Sequence, residues 1–400
     1  MYKTILTAGF AMFSMFFGSG NLVFPLLLGT TALSNYTYAI AGVFITAVIV
    51  PFIGLISMIA FEGQRERFFS SLGKWPGFVL TFIMLALMGP FGVIPRCITV
   101  AYGGLKLIFP SLSLPLFSLV FCMIIGFLIW RPNRVVDIIG LVLTPFKLGG
   151  LLLLIIFGLY YAEAVSIAKV TNFDSFKEGF MLGYQTMDLI AAFFFSATIV
   201  EYLKNKIGHN DSHQVIKSSI YASLIGAAIL GLVYFGFVSL GAHYAPHLVE
   251  TSPEALLAAI AKHTLGHYAL IIVGVTLAVS CLATATILTL LFVDFLKIDL
   301  VDHIAHLKLP TAASIVGTLA VTYVLSLMGF SYISYYLVFI LQIAYPPLIA
   351  LAIHHLLSFW FNINYAKPVF WTCTALSVIA FLIQTKFFLG VIIFFGWAFM

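Results

Sequence analysis

Charged residues are scarce in this chain. Only 8% of its 400 residues are Asp, Glu, Lys or Arg, whereas 62% are hydrophobic. Because a soluble domain is about half apolar and about a quarter charged, this composition excludes an ordinary water-soluble fold. Apolar runs of about 18 residues or more, long enough for a bilayer-spanning helix, recur along the chain and are too long for barrel strands. The sequence therefore predicts an all-α membrane protein.

Cysteines and nucleotide-binding motifs give no sign of a disulfide framework or an ATPase. The four cysteines lie singly in or beside apolar runs without a paired spacing, which argues against both disulfides and a cysteine zinc site. No G-x-x-x-x-G-K-[ST] loop is present, so we do not expect the chain itself to hydrolyse ATP.

The histidines do not form a catalytic pattern inside the apolar segments. His243, His247, His263 and His267 fall in or near one predicted loop on the outer side, and the others fall in inner loops or at a helix end. An intramembrane enzyme, which needs acid–base or metal groups at depth, is therefore not favoured. A channel or a sensor is the other alternative, but no repeated filter sequence and no signalling domain is seen.

The apolar runs predict about twelve spans in one membrane domain, residues 1–400. Their approximate bounds are 4–28, 38–61, 76–102, 112–130, 136–161, 181–203, 214–241, 267–296, 310–330, 332–358, 367–384 and 387–400. The polar connections 204–213 and 242–266 are short enough to be loops. The last span is unusually short.

Basic residues in the loops predict the orientation, since Lys-rich and Arg-rich loops stay in the cytoplasm. The opposite loops carry more acidic residues, including Glu163, Asp174, Glu178, Glu250 and Glu254. Both termini are therefore expected in the cytoplasm. The basic residues that fall on that side are Lys3, Arg65, Arg67, Lys74, Arg131, Arg134, Lys204, Lys206, Lys217, Lys297, Lys308 and Lys367.

The first span contains the segment MFFGSGNLVFPLLLG, with four poor helix formers, Gly18 to Asn21, at its centre. Each glycine in a helix interior costs about 1 kcal/mol relative to alanine. One interpretation is close helix packing through small residues. The other is a helix broken in two, whose freed backbone groups line a polar site, as in transporters that bind ions and zwitterions at mid-membrane.

Three other spans carry polar groups, and each allows two interpretations. Asp188 in the sixth span marks either a transport pathway or a helix cap at the water interface. Arg96 in the third span, where Pro90 and Pro95 disrupt the helix, is either functional or snorkels to the outer headgroups. Ser280 and Thr284 share a face of the eighth span, where hydroxyls either bind a cation or bond back to the preceding turn.

Four motifs together resemble one known family. FGSGNLVFP, GPFGVIPRCITVAYG, GYQTMDLIAA and CLATATILT are similar to the bacterial branched-chain amino acid:cation symporters, the BrnQ-type carriers. The resemblance covers essentially the whole chain and implies a leucine-transporter-like fold. That fold comprises two inverted repeats of five helices, here approximately 4–161 and 181–358, and two peripheral helices in 367–400.

The resemblance also implies a binding site for the amino acid. Its backbone part is expected at two broken helices, the first at Gly18 to Asn21 and the second near Ala192 to Ser196. Apolar walls would hold the branched side chain, and the bilayer and a monovalent cation would be the other partners; neither an organic cofactor nor a nucleic-acid partner is expected. The substrate-binding candidates are Phe17, Gly18, Ser19, Gly20, Asn21, Ala192, Phe193, Phe194, Phe195 and Ser196.

The resemblance implies a candidate sodium site as well. Backbone carbonyls of Ser14 and Phe17 would combine with positions Ser280, Ala283 and Thr284 of the eighth span. Relatives often have threonine at the position of Ala283 and glycine at that of Ser196. Because alanine supplies no hydroxyl ligand, coupling to protons is the alternative to sodium. Import of leucine, isoleucine or valine by cation-coupled symport is the implied function, and a proton-coupled or uncoupled transporter of other small neutral amino acids is the alternative.

Overall fold

The computed structural model describes residues 2–129, 144–207, 212–304, 310–361 and 365–398. Over these residues the regular structure is entirely helical, without a β-strand. Within this part, six helical stretches are long and apolar enough to cross a membrane, and one bent pair of helices makes a seventh. Three shorter apolar helices accompany them. The predicted all-α, multi-pass architecture is confirmed.

The helices of the first half follow the predicted spans. They are α1 (Tyr2–Phe16), α2 (Ser19–Ala32), α3 (Tyr36–Phe44), α4 (Val50–Ala60), α5 (Arg65–Ser70), α6 (Lys74–Met88), α7 (Val93–Lys106), α8 (Leu114–Ile129) and α9 (Thr144–Tyr160). A 3₁₀ turn, Leu33–Asn35, joins α2 to α3, and a π-helical turn, Ile45–Ile49, joins α3 to α4. Positions 136–143 of the predicted fifth span lie outside the described residues.

The second half contains longer helices. They are α10 (Asn172–Tyr184), α11 (Asp188–Ile207), α12 (Ser212–Tyr244), α13 (Leu256–Ile304), α14 (Thr311–Ser326), α15 (Gly329–Phe361) and α16 (Ala366–Ala398). The 3₁₀ turns Ala245–His247 and Pro253–Ala255 lie between α12 and α13.

Three predicted spans are each built from two helices. Phe17 and Gly18 separate α1 from α2, residues 89–92 separate α6 from α7, and residues 185–187 separate α10 from α11 with a bend of 41°. Pro90 lies in the second of these gaps. Pro95 lies in the first turn of α7, where its missing N–H leaves no helical hydrogen bond unmade. The first and third breaks therefore divide the first helix of each predicted repeat.

Two boundaries predicted from hydropathy are wrong. The connection 242–266 contains a helical leg, residues 256–265 of α13, which ends at Gly266 with φ of 79°. The two predicted final spans form one helix, Ala366–Ala398. The polar residues Gln384 to Lys386 lower the hydropathy between the two predicted spans. None of these three residues is a glycine or a proline, so they do not end the helix.

Glycines allow two pairs of helices to touch backbone to backbone. A Cβ atom on Gly42 of α3 would lie 2.1 Å from a backbone oxygen of α10, and one on Gly179 of α10 would lie 2.2 Å from a backbone oxygen of α3. Gly29 and Gly241 bring α2 and α12 equally close. Such contacts replace the hydrophobic driving force that lipid-embedded helices lack. They hold α2 against α12 and α10 against α3, so that one half of each of these two broken spans is fixed to a neighbour.

Candidate functional site

The first helix break lies at Phe17 and Gly18, at the start of the predicted segment Gly18 to Asn21, whose other three residues form the first turn of α2. Gly18 is extended, with φ of −102° and ψ of −164°, and its N–H donates to Asn21 Oδ1 at 3.2 Å. Phe17, Gly18, Ser19, Gly20 and Asn21 are all buried. The side chain of Asn21 thus caps the backbone that the break exposes, which is the broken-helix interpretation and not packing alone.

The second break lies earlier than predicted. Helix α11 runs without interruption through Ala192 to Ser196, and the break falls at 185–187, where Met187 has a φ of 62°. The Thr186 hydroxyl donates to the Gly183 carbonyl at 2.8 Å, so a side chain satisfies the end of α10. The prediction from the fold resemblance was therefore wrong for this break. No glycine or proline marks it in the sequence.

The two breaks lie directly against each other. A Cβ atom on Gly20 would lie 3.2 Å from both the Gln185 carbonyl oxygen and the Thr186 Cα atom. Asn21 Nδ2 is 2.9 Å from each carboxylate oxygen of Asp188 and also donates to the Tyr234 hydroxyl. A side chain at Gly20 would therefore push the two breaks apart by a few tenths of an ångström.

Asp188 is the buried acid of this site. It is 1% exposed, and it accepts a hydrogen bond from the Tyr234 hydroxyl at 2.7 Å in addition to those from Asn21. A cap at the water interface would be accessible to water, so that alternative is wrong. Asp188 therefore connects the first break, the second break and α12.

Arg96 is fully buried and does not snorkel to the headgroups. Its Nη1 donates to the Gln185 carbonyl at 2.9 Å, and its guanidinium lies 5.3 Å from the centre of the Phe24 ring. Its Nε and Nη2 atoms, like Gln185 Oε1, have no hydrogen-bond partner within the described part of the chain. Because buried polar groups are normally paired, these atoms mark a place suited to a polar ligand.

A lysine of α9 reaches the first break from another side. Lys147 is 5% exposed, and its Nζ donates to the Phe17 carbonyl at 2.6 Å. The ammonium also lies 4.8 Å from the centre of the Phe17 ring, a cation–π contact. It lines a cavity of about 40 Å³ together with Leu22, Leu257 and Ser280. A positive charge of the chain itself thus lies at the carbonyl that the sequence assigns to a sodium ion.

Among the other predicted sodium-site residues, Ser280 lines the same cavity as Lys147, and Thr284 uses its hydroxyl locally. The Thr284 methyl group would touch a Cβ atom on Gly18 at 3.5 Å, while its hydroxyl donates to the Ser280 carbonyl at 3.2 Å. Ser280 and Ala283 are buried and Ser14 is half-buried. Thr276, Thr286 and Thr289 also bond back to the preceding turn. These contacts agree with the second interpretation of the eighth span, in which its hydroxyls bond back to the preceding turn.

The predicted aromatic wall of α11 is buried but does not form one surface. Phe193 packs against Phe68 at 5.3 Å between ring centres, and Phe195 packs against Phe16 at 6.2 Å. Phe193 and Phe194 both line a cleft of about 420 Å³ beside the turn that joins α4 to α5, and Phe195 is not among its lining residues. Ala192 and Ser196 are buried, and the Ser196 hydroxyl bonds back to the Phe193 carbonyl.

Sequence analysis missed two residues of the site, Lys147 and Tyr234. Lys147 stands alone in an apolar run, which is itself a signal for function in a membrane segment. Tyr234 gave no signal, because its contacts with Asn21 and Asp188 span 213 and 46 positions of the chain.

Comparison with known proteins gives the family. The model of a family described as branched-chain amino acid transport protein matches residues 1–395. The branched-chain amino acid permease BrnQ of Bacillus subtilis (strain 168) is 31% identical over 326 residues, which cover 79% of this chain and 73% of that protein. The permease of the same name from Escherichia coli (strain K12) is 29% identical over 379 residues, covering 92% and 84%.

A solved structure supports the fold. The manganese transporter of Eremococcus coleocola, in complex with an aromatic bis-isothiourea substituted compound, has a TM-score of 0.62 to this chain at 15% identity. The match covers 97% of this chain and 88% of that one, and it concerns the fold alone. The predicted class, a leucine-transporter-like membrane protein with two broken helices, is confirmed. The chain belongs to the branched-chain amino acid transport protein family, whose members are transporters and not enzymes.

Proposed function

We propose that this chain imports leucine, isoleucine or valine across the bacterial inner membrane by cation-coupled symport with alternating access. Family membership supports the substrate class, and the bacterial permeases it resembles support the membrane. The basic residues around Lys3 and in the turn with Arg65 and Arg67 support cytoplasmic termini. The observation that carries the proposal is a buried carboxyl group, Asp188, and a buried guanidinium group, Arg96, beside two helix breaks that touch each other.

An amino acid zwitterion fits this arrangement of charges. Arg96 offers two unpaired nitrogen atoms, Nε and Nη2, as donors to a carboxylate, and guanidinium–carboxylate pairs are strong because both groups are charged. Asp188 and the carbonyl groups at the breaks offer acceptors to the ammonium group. The Phe24 ring, which stacks on Arg96 and lies 5.6 Å from the Phe330 ring, supplies an apolar surface beside the charges.

We propose that protons, and not sodium ions, are the coupling ions. The sequence predicts a sodium site at the Phe17 carbonyl, but the Lys147 ammonium donates to this oxygen, and Ala283 adds no hydroxyl. A protonated Lys147 supplies the positive charge that an ion would bring. Loss of its proton on the inner side would end the cation–π contact with Phe17 and weaken the tie across the break.

Leucine uptake into proteoliposomes under separate gradients tests this function. An inward proton gradient should drive leucine accumulation, and replacing external sodium with choline should leave it unchanged. Lys147→Met should abolish the proton-driven accumulation while leucine still stabilises the protein in a thermal-shift assay. Lys106→Met is the matched control, because Lys106 also donates to a carbonyl, that of Leu112, and lies over the Tyr102 ring.

The possible results separate the coupling ion from the substrate. Accumulation that needs a sodium gradient would refute proton coupling but leave the substrate class intact. Stabilisation by amino acids other than the three branched-chain ones, with none from leucine, would refute the substrate. Arg96→Lys should lower the ratio of the affinity for leucine to that for leucinamide, because leucinamide lacks the carboxylate that the guanidinium would bind.

A further inference from the structure

We propose that the outer end of the molecule carries a site for a zinc-class transition metal ion, formed by Glu163, His247 and His263. The three residues come from separate elements: the loop after α9, the 3₁₀ turn after α12, and the short leg of α13 before Gly266. All three are exposed, and one ligand atom from each lies within 4.8 Å of the others. The set is distinct from the transport site, which is buried at the helix breaks.

The chemistry and spacing of these side chains suit zinc. Two imidazoles and one carboxylate, with water in the fourth position, form a common zinc ligand set. Glu163 Oε2 and His247 Nε2 lie 3.3 Å apart, close to the edge of a tetrahedron with bonds of about 2.0–2.1 Å. The centres of the His247 and His263 rings are 4.1 Å apart, so rotation of these exposed side chains brings a His263 nitrogen within bonding distance of the same ion. Calcium and magnesium prefer oxygen ligands and should bind poorly.

Neighbouring contacts hold this cluster in position. His243 Nδ1 lies 2.6 Å from the Glu163 backbone oxygen, and the Tyr244 ring packs edge-on against His263 at 5.7 Å. The loop after α9 also pairs with the end of α2, where Asn35 donates to the Val170 carbonyl at 2.8 Å. The Glu163 and His247 ends of the cluster are thus anchored to α2 and α12.

His263 lies on the short leg of α13, residues 256–265, and this leg covers the transport site. Leu257, on the same leg as His263, lines the cavity that also contains Leu22 and Lys147. Glu254, just before this leg, touches α7 so closely that a Cβ atom on Gly103 would lie 2.5 Å from it. The leg ends at Gly266, where a positive φ breaks the helix. A metal ion joining His263 to Glu163 and His247 would hold the leg closed over the break.

Zinc should therefore inhibit leucine uptake from this side of the membrane. This second step rests on the proposed function, whereas zinc binding does not. Calorimetric titration of the purified chain with zinc chloride tests binding alone. We expect one zinc ion per chain, and a loss of about tenfold or more in affinity for His247→Ala and for His263→Ala, because each removes a direct ligand. His267→Ala is the matched control, since His267 is an exposed histidine one turn further on and outside the cluster.

Uptake measurements then test closure. Zinc added to the face opposite the N-terminus should inhibit leucine uptake by wild type and His267→Ala, and should not inhibit His263→Ala. Equal zinc affinity in the wild type and both histidine variants, or no zinc binding by the wild type, would overturn the site. Zinc binding that depends on His247 and His263 but leaves uptake unchanged would overturn closure and leave the site in place. Absence of uptake without zinc would count against the proposed function and not against the metal site.

Discussion

Asn21 is the residue that connects the two helix breaks. Its oxygen accepts from the Gly18 N–H, and its amide nitrogen contacts both Asp188 oxygens and the Tyr234 hydroxyl. A single side chain thus satisfies backbone at one break and the carboxylate at the other. Since hydrogen bonds to charged groups contribute about 1.5–3 kcal/mol each, this residue matters more for the site than its small size suggests.

Replacing Asn21 should therefore weaken leucine binding strongly. Asn21→Ala leaves the buried Asp188 without two contacts and frees the Gly18 N–H, and we expect at least about a tenfold loss in uptake efficiency, equivalent to 1.4 kcal/mol. Asn35→Ala is the control, because Asn35 is half-buried and donates one hydrogen bond, to the Val170 carbonyl in the loop after α9. Uptake kinetics of the two variants give the comparison, and equal activity of Asn21→Ala and wild type would show that the bridge is dispensable.

For individual residues, the sequence predicts which of them belong to the site better than it predicts which residues they contact. Asn21, Asp188 and Arg96 stand out because polar groups are costly in an apolar segment. Their contacts cannot be read from the chain, because Asn21 and Asp188 lie 167 positions apart. For the same reason, the sequence offers Phe193, Phe194 and Phe195 alike as candidate walls of the pocket, whereas Phe193 and Phe194 line one cleft and Phe195 packs against Phe16.

At the scale of the element, a break is predictable only where the backbone itself is weak. Gly18 and Gly20 predict the first break because glycine is a poor helix former. The second break occurs at Gln-Thr-Met, where the helix propensity of the residues does not predict a break. Met187 has a positive φ, which an L-residue adopts only when its surroundings impose it. Packing against Gly20 and the hydrogen bond from Arg96 to Gln185 are such surroundings.

Helix contacts without room for a methyl group should be the most sensitive to substitution. Gly179→Ala places a Cβ atom 2.2 Å from the Ala39 oxygen of α3, so the two helices must separate. We expect a large fall in the midpoint of thermal unfolding in detergent. Gly317→Ala in α14, where a Cβ atom would meet nothing within 4 Å, should be neutral or stabilising by up to about 1 kcal/mol. A similar response of both variants would contradict the backbone-contact description.

At the scale of the whole molecule, the tight contacts group the spans. Gly29 and Gly241 hold α2 on α12, Gly42 and Gly179 hold α3 on α10, and Gly54 of α4 approaches Leu189 of α11. Packed elements that interlock in this way shift as blocks and do not slide continuously. The two helix breaks therefore belong to one block, and movement around the site is expected between this block and the remaining helices.

An ion pair joins parts of this block at the other end of the molecule. Glu62, in the turn after α4, accepts a hydrogen bond from Lys204 near the end of α11 at 2.6 Å. The hydrogen bond and the positive charge of Lys204 hold the pKa of Glu62 below its ordinary value of 4.5. The ionised form is thus favoured by folding, so the pair contributes stability above pH 4.5 and loses it as the pH falls through the lowered pKa.

Glu62→Gln should accordingly cost little, and only at neutral pH. Because the pair is largely exposed, we expect a loss within about 0–1 kcal/mol that shrinks in high salt and disappears in acid. Thermal unfolding at pH 7 and at low pH, with the exposed neighbour Glu66→Gln as control, measures it. A loss that grew toward low pH would mean that the lowered pKa of Glu62 does not stabilise the fold.

The Lys147 ammonium has a consequence for where such a carrier can work. A cation attached to a side chain cannot be diluted, and its local concentration at the Phe17 carbonyl does not depend on the medium. A carrier that relies on a dissolved metal ion loses its driving force when that ion is scarce. A carrier that holds its own cation and is coupled to protons depends only on the proton gradient. Under the proton coupling proposed above, a cell with this protein should take up amino acids in fresh water as readily as in brine.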